Sequence, residues 1–189
     1  MKVDILNTEN KYQIVYADPP WQYKDKCRAG KRGAEYKYPS MGPQEIKDLP
    51  IAKITSNNSF LFLWVTFPML QQGLDVIKAW GYDYRTIAFN WVKKNRLSDT
   101  WFWGMGNYTR SGSEICLLAT KGKPKRASAG VHSTVDAPVE GHSRKPGEVR
   151  DRIVKLCGDL PRIELFSTEK IDGWDRWGLD APEDIKLEA

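Results

Sequence analysis

Apolar positions fall along the chain in short blocks of two kinds, and their alternation predicts the fold class. Gln13–Asp18 (QIVYAD) is a run of strand formers that ends at an acid followed by two prolines, which predicts a buried strand delivering Asp18 to its carboxyl end. Ser59–Thr66 (SFLFLWVT) is near-continuously apolar over strand length, the pattern of a strand covered on both faces. Ile87, Phe89 and Trp91 alternate with Ala88, Asn90 and Val92 in a third strand, Ile115–Thr120 makes another, and Arg162–Phe166 a last one before a polar C-terminal loop. Helical spacing occupies the intervals. Pro43 opens a short helix through Ile46 and Leu49 that Pro50 interrupts. Pro68 starts a second helix, with Leu70, Leu74, Ile77 and Trp80 on one side and Gly81 at its end. Pro146 opens a third, carrying Val149, Ile153 and Leu156, which Gly158 stops. Strands alternating with helices predict an α/β fold: an open, mostly parallel sheet with helices on both faces, whose ligands bind outside the carboxyl ends of the strands.

The polar stretches change this picture at two places. Residues 24–37 hold Lys24, Lys26, Arg28, Lys31, Arg32 and Lys37 against Asp25 and Glu35, a basic surface loop directly after the first strand. From Lys121 to about Arg144 the chain is polar and irregular, a long surface connection that begins with Lys121, Lys123, Lys125 and Arg126. Lys and Arg outnumber Asp and Glu by 29 to 24, so the surface leans towards anionic partners, nucleic acid among them. The 189 residues suffice for one domain with a substantial core and are too few for two catalytic domains. The longest apolar stretch, Phe60–Val65, falls far short of the roughly 20 residues of a membrane span, and the N-terminus lacks a secretion signal, so a cytoplasmic location is expected. Three dispersed cysteines without CxxC spacing and only two histidines write no metal set, so no metal is expected.

Chemistry concentrates in Asp18-Pro19-Pro20-Trp21. Proline fixes φ and has no N–H, and it pushes the preceding residue into an extended conformation, so the turn becomes a rigid array of acceptors. An exocyclic amine donating one N–H to the Asp18 carboxylate and the other to the Pro19 carbonyl would be held with its lone pair aimed at an electrophile. Trp21 offers a flat face on which a purine could stack. The same tetrapeptide also makes sense as a plain strand terminator.

Further segments follow in order: Tyr38-Pro39-Ser40-Met41, Leu61–Thr66, Trp103-Gly104-Met105-Gly106, Tyr108-Thr109-Arg110, Glu114–Gly122, His142-Ser143-Arg144-Lys145-Pro146, Ile163–Phe166 and Gly173–Gly178. With Ala17–Trp21 they cover roughly residues 13–180, and in this order the chain resembles the DPPW-type adenine-N6 methyltransferases of the MT-A seventy family, in particular their compact phage and bacterial members. The resemblance implies a Rossmann-like class I methyltransferase fold in permuted order, with the catalytic strand first and the S-adenosylmethionine strand near the C-terminus. It implies that Asp18, Pro19 and Pro20 bind the target amine, that Trp21 packs at the base, and that Tyr23 and Tyr38 belong to the loop closing over it. It assigns Lys121 to the methionine carboxylate of the cofactor, and Asp18, Phe166, Thr168, Lys170 and Asp180 to the rest of the cofactor site. Two positions depart from the family, Thr168 where arginine is common and Leu179 in the turn that usually holds the ribose hydroxyls; leucine can make no side-chain hydrogen bond there.

Polynucleotide substrate contacts are expected from Lys31 and Arg32 in the basic loop and from Lys123 and Arg126 on the opposite rim. Flipping an adenine out of a duplex would be compensated by stacking on Trp21, Tyr38 and Tyr108. Arg110 and Glu114, four apart, read as an ion pair bracing the target-binding loop. The reading is therefore methylation of the adenine N6 amine in DNA; the same reaction on RNA, or a catalytically silent nucleic-acid-binding subunit, are the alternatives. His132 and His142 read as surface residues, and Ser143 has no partners of a nucleophile.

Overall fold

The computed structural model describes residues 3–23, 40–106, 108–140 and 144–178. Seven strands form one sheet: β1 (Tyr12–Ala17), β2 (Thr55–Val65), β3 (Asp83–Lys94), β4 (Ser113–Lys121), β5 (Thr134–Pro138), β6 (Arg162–Leu165) and β7 (Asp175–Trp177). Their order is β5-β3-β4-β2-β1-β6-β7. All neighbours pair in parallel except β4, which runs antiparallel to both β2 and β3. The helices are α1 (Pro43–Asp48), α2 (Ile51–Ile54), α3 (Leu70–Ala79) and α4 (Glu148–Cys157), with a 3-10 turn, Phe67–Met69, leading into α3.

The apolar runs in β1 and β2 are continuous because both sheet faces are covered. Val15, Ala17, Leu61, Leu63 and Val65 point into a core shared with Ile46 of α1, Ile51 and Ile54 of α2, and Val76 and Ile77 of α3. The alternate residues, Ile14, Tyr16, Phe60, Phe62 and Trp64, point the other way, onto Val149, Ile153 and Cys157 of α4. The period of two along each strand thus divides one apolar run between two cores. Gly73 is what lets α3 lie close on β2, since a Cβ there would stand 2.4 Å from Val65 Cγ1. On the α4 side, Arg150 reaches Glu164 of β6 through Nε and Nη2, both at 2.8 Å, a buried bidentate pair that fastens helix to sheet. No helix among the described residues is long and apolar enough to cross a membrane.

The expected elements are present, with differences at their edges and an added short helix, α2, after Pro50. β2 begins at Thr55, four residues before the apolar run, because Thr55–Asn58 are polar. In α3 the buried positions are Gly73, Val76 and Ile77 with Trp80 beyond, while Leu70 is partly exposed. The connection from Lys121 to Arg144 is not irregular throughout: β5 adds an edge strand to β3 in which only Val135 is buried, too little apolar surface for the sequence pattern to register. The C-terminal loop likewise contains β7, three residues long, paired with β6.

Candidate active site

Asp18 follows β1 at its carboxyl end, as the sequence indicates, and the turn after it is fixed by hydrogen bonds as well as by proline. The Trp21 amide donates to the Pro19 carbonyl at 2.9 Å. The Met41 amide donates to the Pro20 carbonyl at 2.8 Å, and the Gln22 amide to the Met41 carbonyl at 3.1 Å. Each proline carbonyl thus accepts one bond and keeps a second lone pair, that of Pro19 next to Asp18 in the chain. Trp21 corrects the sequence reading. It is only 6% exposed, packed in the core on the α3 side with its indole N–H donating to the Trp64 carbonyl at 3.1 Å, and so it braces the turn instead of offering a face to a base. Tyr23 stands at the same end of the sheet, its hydroxyl 2.8 Å from Thr66 Oγ1.

The nearest charge to Asp18 comes from 127 positions away. Lys145, just before α4, places Nζ 2.7 Å from Asp18 Oδ2 and 3.3 Å from Glu114 Oε2, and 5.5 Å from the centre of the Trp64 ring. Lys93, at the end of β3, pairs with Glu114 Oε1 at 2.5 Å. Two carboxylates and two ammonium groups thus alternate across the carboxyl ends of β1 and β3 and the start of β4. Burial pushes the Asp18 carboxyl above the ordinary carboxylate range, against the pull of Lys145 and with help from Glu114 and Glu164. Burial acts in the same direction on Glu114, but Lys145 and Lys93 outweigh it and hold that group below its ordinary value. For Lys145, desolvation is overcome by Asp18 and Glu114, so its ammonium titrates well above an ordinary lysine. The Cys116 thiol is buried and held far above its usual range by desolvation and by Asp18, which leaves it inert.

Sequence reasoning does not reach Lys145 as a site residue, because no periodicity links the segment before α4 to β1. Glu114 was paired with the wrong partner. Arg110 is exposed and donates towards Met105 Sδ at 3.8 Å, while Glu114 serves the two lysines, so the expected Arg110–Glu114 brace does not exist.

Beside Asp18 on its other flank runs β6, with Ala17 opposite Leu165. Phe166 follows at φ 62°, the one non-glycine residue with positive φ among the described residues, a strained conformation of the kind that gathers at functional sites. Its ring meets Trp177 edge-on at 5.3 Å. Gly178, after β7, touches the same turn so closely that a Cβ would stand 2.5 Å from the Ser167 carbonyl oxygen and 2.7 Å from its amide nitrogen. Gly178→Ala is therefore expected to cost about 1–3 kcal/mol of stability by overpacking against backbone, measured by denaturant unfolding. Thr168 and Lys170 are exposed in the β6–β7 connection.

The antiparallel course of β4 overturns another expectation. Lys121 pairs with Ser59, and its Nζ donates to Thr55 Oγ1 at 3.3 Å, so it stands at the amino end of β2, across the sheet from Asp18. Lys121 is therefore no neighbour of a molecule bound at Asp18. Lys123 and Arg126 follow it: the Lys123 amide is held by Asn58 Oδ1, and Ala127 is bonded to Leu156 near the far end of α4. They do not form a rim of this crevice. A cavity of about 670 Å³ is lined by residues 130–134, Arg152 and Lys155, and Asp18 is not part of its lining. His132 is exposed there, its carbonyl accepting from Arg152. Tyr108 and Arg110, by contrast, sit on the β3–β4 connection at the Asp18 end, both exposed. Lys31, Arg32, Tyr38, His142, Ser143 and Asp180 lie outside the described residues. No cluster of three metal-ligating side chains occurs among the described residues.

A family model described as MT-A70 matches residues 12–180. The chain is 34% identical to a Mycoplasma protein named Type II methyltransferase M.MunI, over 94% of this chain and 81% of that one. It is 34% identical to the zebrafish (Danio rerio) N(6)-adenosine-methyltransferase subunit METTL3 and 32% identical to a Drosophila melanogaster N(6)-adenosine-methyltransferase MT-A70-like protein. Each of those alignments covers 82% of this chain and about a quarter of the relative.

Proposed function

The chain belongs to the MT-A70 family of adenine-N6 methyltransferases, and we propose that it methylates the N6 amine of adenine in DNA, with the turn Asp18-Pro19-Pro20 as the amine-binding element. The observation that carries this is the placement of Asp18: a partly buried, cation-paired carboxylate on a rigid turn at the carboxyl end of a central strand, directly beside β6. Family membership implies a class I methyltransferase fold. We read the strand order as its permuted form, with catalytic strand β1 first in the chain and cofactor strand β6 near its end.

S-adenosylmethionine, when bound, would supply a methyl group on a sulfonium, whose carbon–sulfur bond breaks as the new C–N bond forms and the neutral thioether leaves. The groups fitted to hold it are those around the β1 and β6 ends, Asp18, Phe166, Thr168 and Lys170, with Lys145 in the cationic role that Lys121 is too far away to play; the resemblance adds Asp180, outside the described residues. The close contact of Gly178 with the Ser167 backbone and the strained Phe166 support this fit, since both shape the turn next to Asp18. The chain's own residues then act on the amine. Asp18, ion-paired with Lys145, accepts one N–H through its carboxylate, and the Pro19 carbonyl accepts the other. Together they fix the nitrogen with its lone pair facing the methyl group, and Asp18 Oδ is the nearest acceptor for the proton released once the new C–N bond has formed. Tyr23 and Tyr38 close over the base, and Lys31 and Arg32 meet phosphates. DNA is preferred because M.MunI, a relative matched over most of both chains, is named a type II methyltransferase.

The test is nucleoside mass spectrometry after incubating DNA and sequence-matched RNA with labelled methyl donor. Label on N6-methyl-2′-deoxyadenosine is expected. Label on ribonucleoside only would move the substrate to RNA, and label on another base, or none, would overturn the assignment.

A further inference from the structure

Five of the ten large apolar side chains exposed among the described residues fall within the β3–β4 connection: Leu97, Trp101, Trp103, Met105 and Tyr108. The connection is a structured arm. Its amides and carbonyls bond across it, Lys93 to Gly112, Phe102 to Lys93, Asn95 to Thr100 and Gly104 to Ser111, at 2.6–2.9 Å. Trp103 rests against Gly112, where a Cβ would stand only 3.2 Å from its ring, and yet it is 65% exposed. Trp101 has Lys94 Nζ 5.5 Å from its ring centre and is 48% exposed. Large aromatic surface held in place and left open marks an interaction site.

The charge on the arm says what kind. Between Lys94 and Ser111 the only acid is Asp99, already 2.5 Å from Lys94 Nζ. Arg96 and Arg110 are exposed and have no carboxylate partner among the described residues. Aromatic faces interleaved with unpaired arginines suit a polyanion that also has bases to stack. The arm rises beside the catalytic network, since Lys93 at its root pairs with Glu114, which Lys145 joins to Asp18.

We infer that Trp101 and Trp103 are stacking platforms for nucleotides flanking the target adenine, with Arg96 and Arg110 on the adjoining phosphates. With Trp21 buried, these rings take over the role of holding bases once the target has left the stack. The inference rests on a polynucleotide substrate. The experiment is equilibrium binding of a labelled DNA oligonucleotide by anisotropy across a salt series, with methyl-donor binding measured on each variant as a check on the fold. Trp103→Ala and Trp101→Ala are each expected to weaken binding roughly tenfold without changing the salt slope, as lost stacking should. Trp103→Phe should recover most of that loss, whereas Arg96→Ala with Arg110→Ala should flatten the slope by about two contacts. Wild-type affinity in both tryptophan variants would overturn the inference. So would a dimer dissociating in Trp103→Ala by sedimentation with DNA affinity intact, which would give the arm to a second copy. Either result leaves the methylation assignment standing, because that is decided separately by the labelled nucleoside.

Discussion

Asp18→Ala is expected to lower single-turnover methyl transfer by at least about 10²-fold, the lower end of what a positioned proton acceptor contributes, while the protein stays folded. The two halves of that expectation have different physical sources. Activity is expected to fall because the carboxylate is the proposed acceptor that orients the amine, and among the described residues the neighbouring carboxylate, Glu114, already faces Lys93 and Lys145. The fold survives because Asp18 lies past the end of β1, its side chain about a quarter exposed, and its raised pKa means that the folded protein disfavours its charge. Lys145 keeps Glu114 as a partner in the variant, so no buried ammonium is stranded. Unfolding curves near wild type together with lost turnover are expected; retained turnover would remove Asp18 from the mechanism. The raised pKa also has a pH signature. The ionised form is the stronger N–H acceptor and the one able to take up the released proton, so the acid limb of the rate profile should lie above the ordinary aspartate value of 3.8.

Lys145→Met should do the opposite kind of damage. The methionine fills the space but leaves Asp18 and Glu114 facing each other without the cation between them, and breaking a buried pair from one side typically costs about 3–5 kcal/mol. Both carboxyl groups then titrate higher, so the folded state binds more protons than the unfolded chain, and by linkage the deficit should shrink as pH falls from 8 to 5. The acid limb of any residual activity should move towards neutrality for the same reason. In wild type the lysine's own raised pKa keeps its stabilising charge in place at any pH below its unfolded value of 10.5. Denaturant unfolding at several pH values, with Lys145→Arg as the charge-retaining control, checks this. A loss independent of pH would mean that packing, not charge, is what Lys145 provides.

What the sequence made legible was whatever local pattern controls. The β1 run and its Asp-Pro-Pro end were readable because strand propensity and proline act on adjacent residues, and the helices on Pro43, Pro68 and Pro146 for the same reason. The short edge strands β5 and β7 were not, since each buries a single side chain completely enough to count as core. The site was half legible. Asp18 and its turn stand together in the chain, but Lys145 and Lys93 arrive through tertiary packing. The assignment of Lys121 failed on one fact that periodicity does not carry, the direction of β4: an apolar run looks the same whichever way it is threaded. Trp21 failed for a related reason, because an aromatic beside a catalytic acid looks identical whether it faces a ligand or the core.

The bonds joining Gln22 and Met41 knot together the two ends of the segment between them. Closing a loop costs entropy that grows only slowly with its length, so exchanging this segment for a longer or shorter one leaves the acceptor turn where it is. Exchange of the segment is thus expected to alter the contacts made by Tyr38, Lys31 and Arg32 while Asp18, Pro19 and Pro20 keep their places.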